Sequence, residues 1–473
     1  MRYRIEKDLL GQRQVPAEAY YGIETLRGKE NFEITKRGIC RQMIKALAIV
    51  KKAAAKANVD ALNIDEKVGK AIILACDEIL NGRLHGQFVT DLIQGGAGTS
   101  MNMNANEVIA NRANELLGGK KGVYDFVHPN DHVNFGQSTN DVIQTAGKIA
   151  IVKQLKKLQV ELKKLYNAYL NKATEFKDVI KMGRTHLQEA LPLRLGQEFS
   201  AYASALNRDM KRIDVAIEAL LEVNMGATAI GTSLNANEKY RKKVIYYLNK
   251  FSGEQIKPAK DLIDATRNFD TFGQASSTLK LLALNLSKTA SDLRLMASSG
   301  SNGFSEITLP HVQPGSSIMP GKYNPVVPEM VNQVCFYVIG LDVTITKAIE
   351  AGQLELNVFG PIILMSLFEQ ITTLRRATRT FHNLAISGLI ANTTKYKTDN
   401  SIYLITALSP HLGHEEACNV VNEAISSEKT IKQVLLDHHI LSEEIINMVL
   451  DESNMTNPGI ALENILKEKK EQE

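Results

Sequence analysis

The chain has 473 residues, 44% apolar and 23% charged, an ordinary composition for a globular protein with a large core. Its 56 basic and 52 acidic residues are spread along the sequence and leave a formal net charge of only +4. Nucleic-acid binding needs clustered basic charge, so this balance argues against it. We also expect neither a signal peptide nor a membrane span, because the N-terminus is charged and no run of eighteen apolar residues occurs.

The four cysteines lie far apart in the sequence and form no CxxC pair. This spacing argues against a disulfide framework and against a zinc site. Free thiols are typical of a reducing compartment, so we expect a cytoplasmic protein.

Residues 1–139 predict a mixed, mostly helical N-terminal domain. Apolar periodicity predicts one helix over 38–58 and a second over 66–80. A third, asparagine-rich helix should end at Gly118-Gly119. Asparagine is a poor helix former, so the cluster around Asn102, Asn104 and Asn106 either holds a backbone or a ligand, or caps the helix locally.

The middle of the chain, residues 140–394, predicts a bundle of long helices. Apolar residues recur in steps of three and four within five stretches: 145–181, 196–223, 279–296, 331–345 and 361–384. The fourth helix is apolar on nearly every side, so we expect it to pack against other subunits.

Shorter helical patterns over 395–473 predict a small C-terminal domain. The fold class is therefore all-α, mainly helical, with three domains.

Four polar segments interrupt these helical patterns, at 95–106, 137–141, 183–188 and 314–330. The last contains four prolines and must be a loop. Together they supply many neutral hydrogen-bond donors, one lysine and one histidine. No HExxH motif, cysteine cluster or close pair of carboxylates accompanies them, so we expect no metal site and no glycosidase chemistry.

This set of side chains is suited to a small dicarboxylate, because lysine supplies charge while hydroxyls and amides supply geometry. If a carbon-bound proton next to a carboxylate is removed, negative charge builds on that carboxylate and donors aimed at it stabilise it. A serine can act as the base only if nearby dipoles or the lysine stabilise its alkoxide. From the residues alone, the hypothesis is an anion site for proton abstraction.

Several of these segments resemble the motifs of a known enzyme superfamily. The loop GSSIMPGKYNP closely resembles the loop motif of the aspartase/fumarase superfamily, and the resemblance extends through QGGAGTSMNMNANEV, HPNDHVNFGQSTND and MGRTHLQEALPLRLGQEF. Within that superfamily the chain is more similar to the aspartases. Class II fumarases carry Thr-Gln-Cys-Glu after the loop, where this chain has Val-Val-Pro-Glu at 326–329. A class II fumarase and a catalytically silent scaffold remain the alternatives.

The resemblance implies a homotetramer with a twenty-helix core and active sites that are each assembled from three subunits. It implies an ammonia-lyase reaction, the reversible loss of ammonia from L-aspartate to give fumarate, without a cofactor.

The resemblance also implies roles for individual residues. Ser316 would take the β-proton of the substrate. Asn140 and His186 would face its amino group, and Glu329 would orient His186. The loop around Ser316 would close over the substrate and exclude water.

The remaining family residues would bind the two carboxylates. Four hydroxyl side chains would hold the β-carboxylate, where the negative charge develops: Thr99, Ser138, Thr139 and Ser317. The α-carboxylate would be held by Thr185, Lys322 and Asn324.

Two further features lie outside these roles. Tyr323 stands where the family usually has a small aliphatic residue, and it is a candidate to alter loop closure or the placement of Lys322. Residues 128–131 match a second, non-catalytic anion site of fumarases, but the same residues are also suited to capping a helix.

Overall fold

The computed structural model describes residues 2–299, 302–393 and 401–463, which are mainly helical, as the sequence predicts. The N-terminal part begins with two strands and continues with four helices: β1 (Tyr3–Asp8), β2 (Gly11–Pro16), α1 (Ile23–Asn31), α2 (Arg41–Asp60), α3 (Glu66–Leu80) and α4 (Thr99–Leu116). The helices predicted over 38–58 and 66–80 are α2 and α3. The asparagine-rich helix is α4.

Five long helices follow, one for each predicted apolar stretch: α5 (Thr139–Glu175), α6 (Leu195–Leu220), α9 (Asp270–Met296), α10 (Val326–Glu350) and α11 (Gly360–Phe381). They form because each presents a continuous apolar stripe for burial. In α6, for example, Phe199, Ala203 and Leu206 are each at most 3% exposed.

Shorter elements connect the long helices or follow them: β3 (Ile180–Thr185), β4 (Gln188–Arg194), β5 (Glu222–Val223), α7 (Glu238–Ser252), β6 (Lys257–Pro258), α8 (Leu262–Arg267), β7 (Ile307–Thr308), β8 (Ile390–Ala391), α12 (Ile405–Leu412), α13 (His414–Ser427), α14 (Ile431–Asp437), α15 (Glu443–Val449) and α16 (Glu452–Met455). Among the described residues the strands form four two-stranded sheets: β1–β2, β3–β4 and β7–β8 are antiparallel and β5–β6 is parallel.

The chain divides into two compact units. The first comprises Met1–Leu162, Arg208–Leu284 and Gln333–Ala377, and the second Lys163–Asn207, Asn285–Asn332 and Thr378–Glu473. Every long helix contributes residues to both units. The three-domain division stays a prediction, and its second boundary falls among residues 394–400, outside the described residues.

Buried polar contacts join the long helices within the first unit. The carboxylate of Asp342 on α10 accepts hydrogen bonds from Ser276 (2.7 Å) and Lys280 (2.6 Å) on α9. Gln370 on α11 donates to Ser276 Oγ and to the carbonyl of Val338, both at 3.1 Å. Because Ser276, Asp342 and Gln370 are buried, an axial slip of any one helix would leave polar atoms unpaired.

Helix α10 is the most apolar of the five. By length and composition it is apolar enough to span a membrane, since an 18-residue window of it has a mean hydropathy of 1.3, but the core helix of a bundle can be equally apolar. One face, with Val331, Cys335 and Val338, is buried within the chain. The opposite face exposes Phe336 and Val343 by 63% and 58%. An apolar surface of this kind marks a contact site.

Candidate active site

Thr99 lies at the first position of α4, after a glycine-rich loop. Gly98 has a positive φ of 97°, and a Cβ there would come within 3.2 Å of Ile143, so the turn favours glycine. The exposed Thr99 side chain donates a hydrogen bond to the carbonyl of Gly96 at 2.7 Å. A hydroxyl beside a helix N-terminus suits the binding of an anion.

Ser138, Thr139 and Asn140 lie at the N-terminus of α5. Ser138 Oγ accepts a hydrogen bond from the backbone N–H of Asn140 at 3.2 Å, and the N–H of Ser138 donates to Asp141 at 2.9 Å. The amide of Asn140 donates to the carbonyl of Ala229 at 2.6 Å. These contacts fix Ser138 and Asn140 at a second helix start.

Asn102 joins the two helix starts. Its side-chain amide donates to Thr139 Oγ1 at 3.3 Å and to Asn134 Oδ1 at 3.2 Å. Two helix N-termini with candidate hydroxyls therefore meet in the first unit. Asn104 instead accepts from the N–H of Val89 and donates to a backbone carbonyl, so the asparagine cluster divides between the site and backbone support.

A buried lysine, which was not predicted from the sequence, lies behind this group. Lys51 on α2 is 0% exposed, and its ammonium donates to Asn134 Oδ1 at 2.8 Å and to Gln137 Oε1 at 3.0 Å. Burial lowers the pKa of Lys51 to about 7, although the nearby Asp141 opposes the shift. The signal was present in the sequence, because Lys51 lies between Leu47 and Ala54 on the apolar face of the predicted helix.

Asp141 is the buried counterpart of Lys51. Its carboxylate accepts backbone N–H groups from Ser138, Gly226 and Thr228 at 2.9–3.1 Å. Burial raises its pKa to about 6, while those N–H groups and Lys51 pull it down. The carboxylate thus ties the start of α5 to the segment that follows β5.

Thr185 and His186 lie on the turn of the hairpin β3–β4, in the second unit. Thr185 pairs with Gln188, and the two residues between them, His186 and Leu187, have positive φ angles of 55° and 63°. Glycine or asparagine usually fills such a turn, and each other residue costs about 1–2 kcal/mol there. The strained turn leaves Thr185 and His186 exposed.

The hairpin is anchored below this turn. The Arg184 guanidinium forms an ion pair with Glu306 and lies 4.3 Å from the ring centroid of Phe304. Glu306 also pairs with the buried Lys181 at 2.7 Å. These contacts hold the base of the hairpin and offset the strain at its tip.

The proline-rich loop closes on itself in the second unit. The N–H of Gly315 donates to the carbonyl of Lys322 at 2.8 Å, and the amide of Asn324 donates to the carbonyl of Gly315 at 2.7 Å. A Cβ at Gly315 would lie 2.5 Å from the Lys322 carbonyl, so only glycine permits this approach. Between the two ends, Ser317 and Lys322 are exposed.

Ser316 lies at the start of the loop and has a polarised hydroxyl. Its Oγ accepts hydrogen bonds from the backbone N–H groups of Ile318 at 3.2 Å and Met319 at 3.0 Å. Two donors on one hydroxyl oxygen favour the ionised form of that group. A serine base requires such stabilisation of its alkoxide, and the sequence alone does not reveal it.

Glu329 lies in the first turn of α10, immediately after the loop. Among the described residues of the single chain, it forms no hydrogen bond or ion pair with His186. The proposed orientation of His186 by Glu329 therefore stays a prediction that concerns the assembled protein.

Tyr323 has a partner in the structure. Its ring stacks on His311, with centroids 3.7 Å apart and planes inclined by 4°. The pair lines a cleft of about 530 Å³ together with Lys322 and Asn324. The stack holds the second half of the loop and gives the aromatic residue a structural role.

Replacing Tyr323 by valine should therefore loosen the loop. An aromatic pair contributes about 0.5–1.5 kcal/mol beyond buried area, so amide exchange in 316–322 should accelerate by up to about tenfold. Hydrogen exchange followed by mass spectrometry measures this directly. Tyr323→Phe retains the ring and should exchange like the unchanged protein, whereas equal exchange in the valine variant would contradict the role of the stack.

Residues 128–131 cap a short turn. His128 Nδ1 accepts from the backbone N–H groups of Asn130 and Asp131 at 3.3 and 3.2 Å, at the start of the turn Pro129–Val133. The capping interpretation accounts for these contacts.

Comparison with known proteins identifies the family. A family model described as "Lyase" matches residues 11–340, and one described as "Fumarase C C-terminus" matches residues 404–457. Aspartate ammonia-lyase of Bacillus subtilis (strain 168) is 51% identical to the chain, over 98% of each sequence.

Two solved structures extend the comparison. A fumarate lyase:delta crystallin from Brucella melitensis bound to cobalt superposes with a TM-score of 0.93 at 44% identity, over 97% of this chain and 100% of the other. A class II fumarase from Schistosoma mansoni superposes with a TM-score of 0.94 at 34% identity, over the same shares. Motifs, fold and long stretches of sequence agree, and the chain belongs to the aspartase/fumarase superfamily.

Proposed function

We propose that the protein is an aspartate ammonia-lyase, which converts L-aspartate reversibly to fumarate and ammonia. The identity of 51% to an aspartate ammonia-lyase, against 34% to a class II fumarase, supports this choice within the superfamily. The Val-Val-Pro-Glu sequence at 326–329, which is unlike that of the fumarases, supports it independently.

The observation that carries the mechanism is the double hydrogen bond to Ser316 Oγ. A serine hydroxyl is a weak base unless its alkoxide is stabilised, and two backbone N–H groups aimed at the oxygen provide that stabilisation. Lys322, on the same loop, adds positive charge. In the reaction Ser316 acts as its alkoxide: the Cβ–H bond of aspartate breaks, and Ser316 Oγ takes the proton and becomes the neutral hydroxyl.

The electron pair left on Cβ then spreads onto the β-carboxylate. We propose that Thr99, Ser138, Thr139 and Ser317 donate hydrogen bonds to this doubly charged group. Three of these residues lie at helix N-termini, whose partial positive charge favours the dianion. When the pair returns to form the Cα=Cβ bond, the Cα–N bond breaks and ammonia leaves beside Asn140 and His186.

Thr185, Lys322 and Asn324 are proposed to bind the α-carboxylate. Replacing Lys322 by methionine should raise KM for L-aspartate as well as lower kcat, because its charge acts on the bound substrate and on the transition state alike. Initial-rate measurements separate the two constants. The exposed Lys242 of α7 offers a matched control, and Lys242→Met should leave both constants unchanged. An unaltered KM in Lys322→Met would contradict a role in carboxylate binding.

The proposed assembly is a homotetramer with active sites shared between subunits. The exposed apolar face of α10 supports it, since Phe336 and Val343 need a covering surface. No disulfide joins the four cysteines among the described residues, which supports a cytoplasmic location. Sedimentation or light scattering tests the assembly, and a monomer at catalytic concentrations would contradict it.

The activity is tested by offering L-aspartate and L-malate separately and following fumarate by its ultraviolet absorbance. We expect fumarate from aspartate only. Fumarate from malate but not from aspartate would favour a fumarase, and none from either would favour a silent scaffold.

A further inference from the structure

A second cleft is lined by four lysines and by none of the proposed substrate residues. It lies in the first unit between α2, α5 and the end of α7, and has a volume of about 670 Å³. Its lysines, Lys45 of α2 and Lys153, Lys156 and Lys157 of α5, have no role in the proposed reaction. We call this feature the lysine cleft.

The positive charge of the lysine cleft is poorly compensated. Glu254 is the single carboxylate among its lining residues, and it forms an ion pair with Lys156. In the described part of the chain, no hydrogen bond or ion pair satisfies the side chains of Lys45, Lys153 or Lys157. A cluster of this kind is unusual here, because basic and acidic residues nearly balance in the whole chain.

Lys153 shows the electrostatic consequence. Burial lowers its pKa, Glu254 opposes that shift, and the neighbouring ammonium groups of Lys157, Lys156 and Lys45 lower it further. Like charges held together in a half-buried cleft repel one another, so an anion bound among them would relieve the repulsion.

The floor of the lysine cleft is apolar. Ala46, Ile49 and Ala150 are buried beneath the lysines, and the half-buried ring of Phe251 forms part of the wall. The Phe251 ring is held by Tyr247, which stacks on it at 5.7 Å. A small inorganic anion or a dicarboxylate would leave this apolar surface uncovered.

We propose that the lysine cleft binds an organic phosphate with two or more negative charges beside a ring, the class that includes nucleoside di- and triphosphates. Three unpaired ammonium groups match the charge of such a phosphate chain. The apolar floor matches the ring, and the volume lies within the range of small-molecule sites.

The test is calorimetric titration of the full-length protein with ATP at low ionic strength, without added metal. The site variant combines Lys153→Ala and Lys157→Ala. A matched control combines Lys239→Ala and Lys260→Ala, which remove two exposed lysines outside the cleft. Tripolyphosphate and adenosine serve as separate probes of the charged and the ring portions.

We expect ATP to bind the unchanged protein and the control alike, and to bind the site variant about tenfold or more weakly. Tripolyphosphate should bind more weakly than ATP, and adenosine should not bind detectably. Turnover of aspartate by the site variant should equal that of the control, which shows that the variant is folded.

Absence of ATP binding would overturn the proposal. Equal weakening in both variants would overturn it too, because it would indicate general charge attraction rather than a site. Tripolyphosphate binding as tight as that of ATP would overturn the organic part of the proposal. Displacement of ATP by succinate would place the phosphate in the substrate site instead.

Discussion

Replacing Ser316 by alanine is expected to lower kcat for L-aspartate by a factor of about 10³ or more, since the variant loses the group that takes the β-proton. Alanine removes the oxygen on which the N–H groups of Ile318 and Met319 converge. No other side chain of the loop offers a hydroxyl oxygen with two such donors among the described residues. Steady-state rates of fumarate formation measure the effect.

The Ser316→Ala result needs a control for loop geometry, because the same oxygen also holds the turn. Succinate, an unreactive dicarboxylate, should bind the variant within a few-fold of its affinity for the unchanged protein. A variant that keeps a tenth of the original kcat would show that Ser316 is not the base. Greatly weakened succinate binding would instead assign the loss to a displaced loop.

The long helices were predictable because a helix that buries one stripe repeats its apolar residues at a fixed step. The stripe Phe199, Ala203, Leu206 fixes both the helix and its buried face without knowledge of the partners. The N-terminus of α5 was harder to predict from the sequence. The apolar stripe begins at residue 145, whereas the helix begins at Thr139. Its first turn is polar because it carries the candidate site.

Three features of the candidate site had no periodic signal. The positive φ angles of His186 and Leu187 run against the ordinary preference of both residues, so only the hairpin register reveals them. The stack of Tyr323 on His311 depends on the path of an irregular loop. The donors to Ser316 Oγ are backbone N–H groups. Because nearly every residue has such a group, the sequence does not indicate which of them point at the serine oxygen.

Lys51 was overlooked for a different reason. A lysine is ordinarily solvated, so a helical pattern is usually analysed by its apolar members alone. Lysine on the apolar face of α2 was therefore a visible exception, and buried ionisable groups of this kind often mark functional sites.

Replacing Lys51 by methionine is expected to lower kcat/KM for L-aspartate by roughly tenfold to a hundredfold, although Lys51 is not assigned to the substrate. The change removes the donor to Asn134 and Gln137, and Asn134 in turn holds Asn102, which contacts Thr139. Small displacements of positioned groups carry losses of this size.

Lys52→Met is the matched control for Lys51→Met. Lys52 is the next residue of α2, and its ammonium pairs with Asp77 at 2.5 Å on α3, away from the asparagine network. We expect this control to retain kcat/KM within about a factor of two, since ion pairs at partly exposed sites contribute little. Equal losses in both variants would contradict a positioning role for Lys51.

The pH dependence of stability tests the buried state of Lys51 separately. Burial lowers its pKa to about 7, while the unfolded chain keeps the ordinary value of 10.5. Between these values the unfolded chain binds a proton at Lys51 that the folded protein does not, so this residue makes folding more favourable as the pH rises, by up to about 1.4 kcal/mol per pH unit. The Lys51→Met variant lacks this contribution. The thermal midpoint of the unchanged protein should therefore rise relative to that of the variant from pH 7 to pH 10. A difference between the two midpoints that does not change with pH would show that Lys51 stays charged in the folded protein.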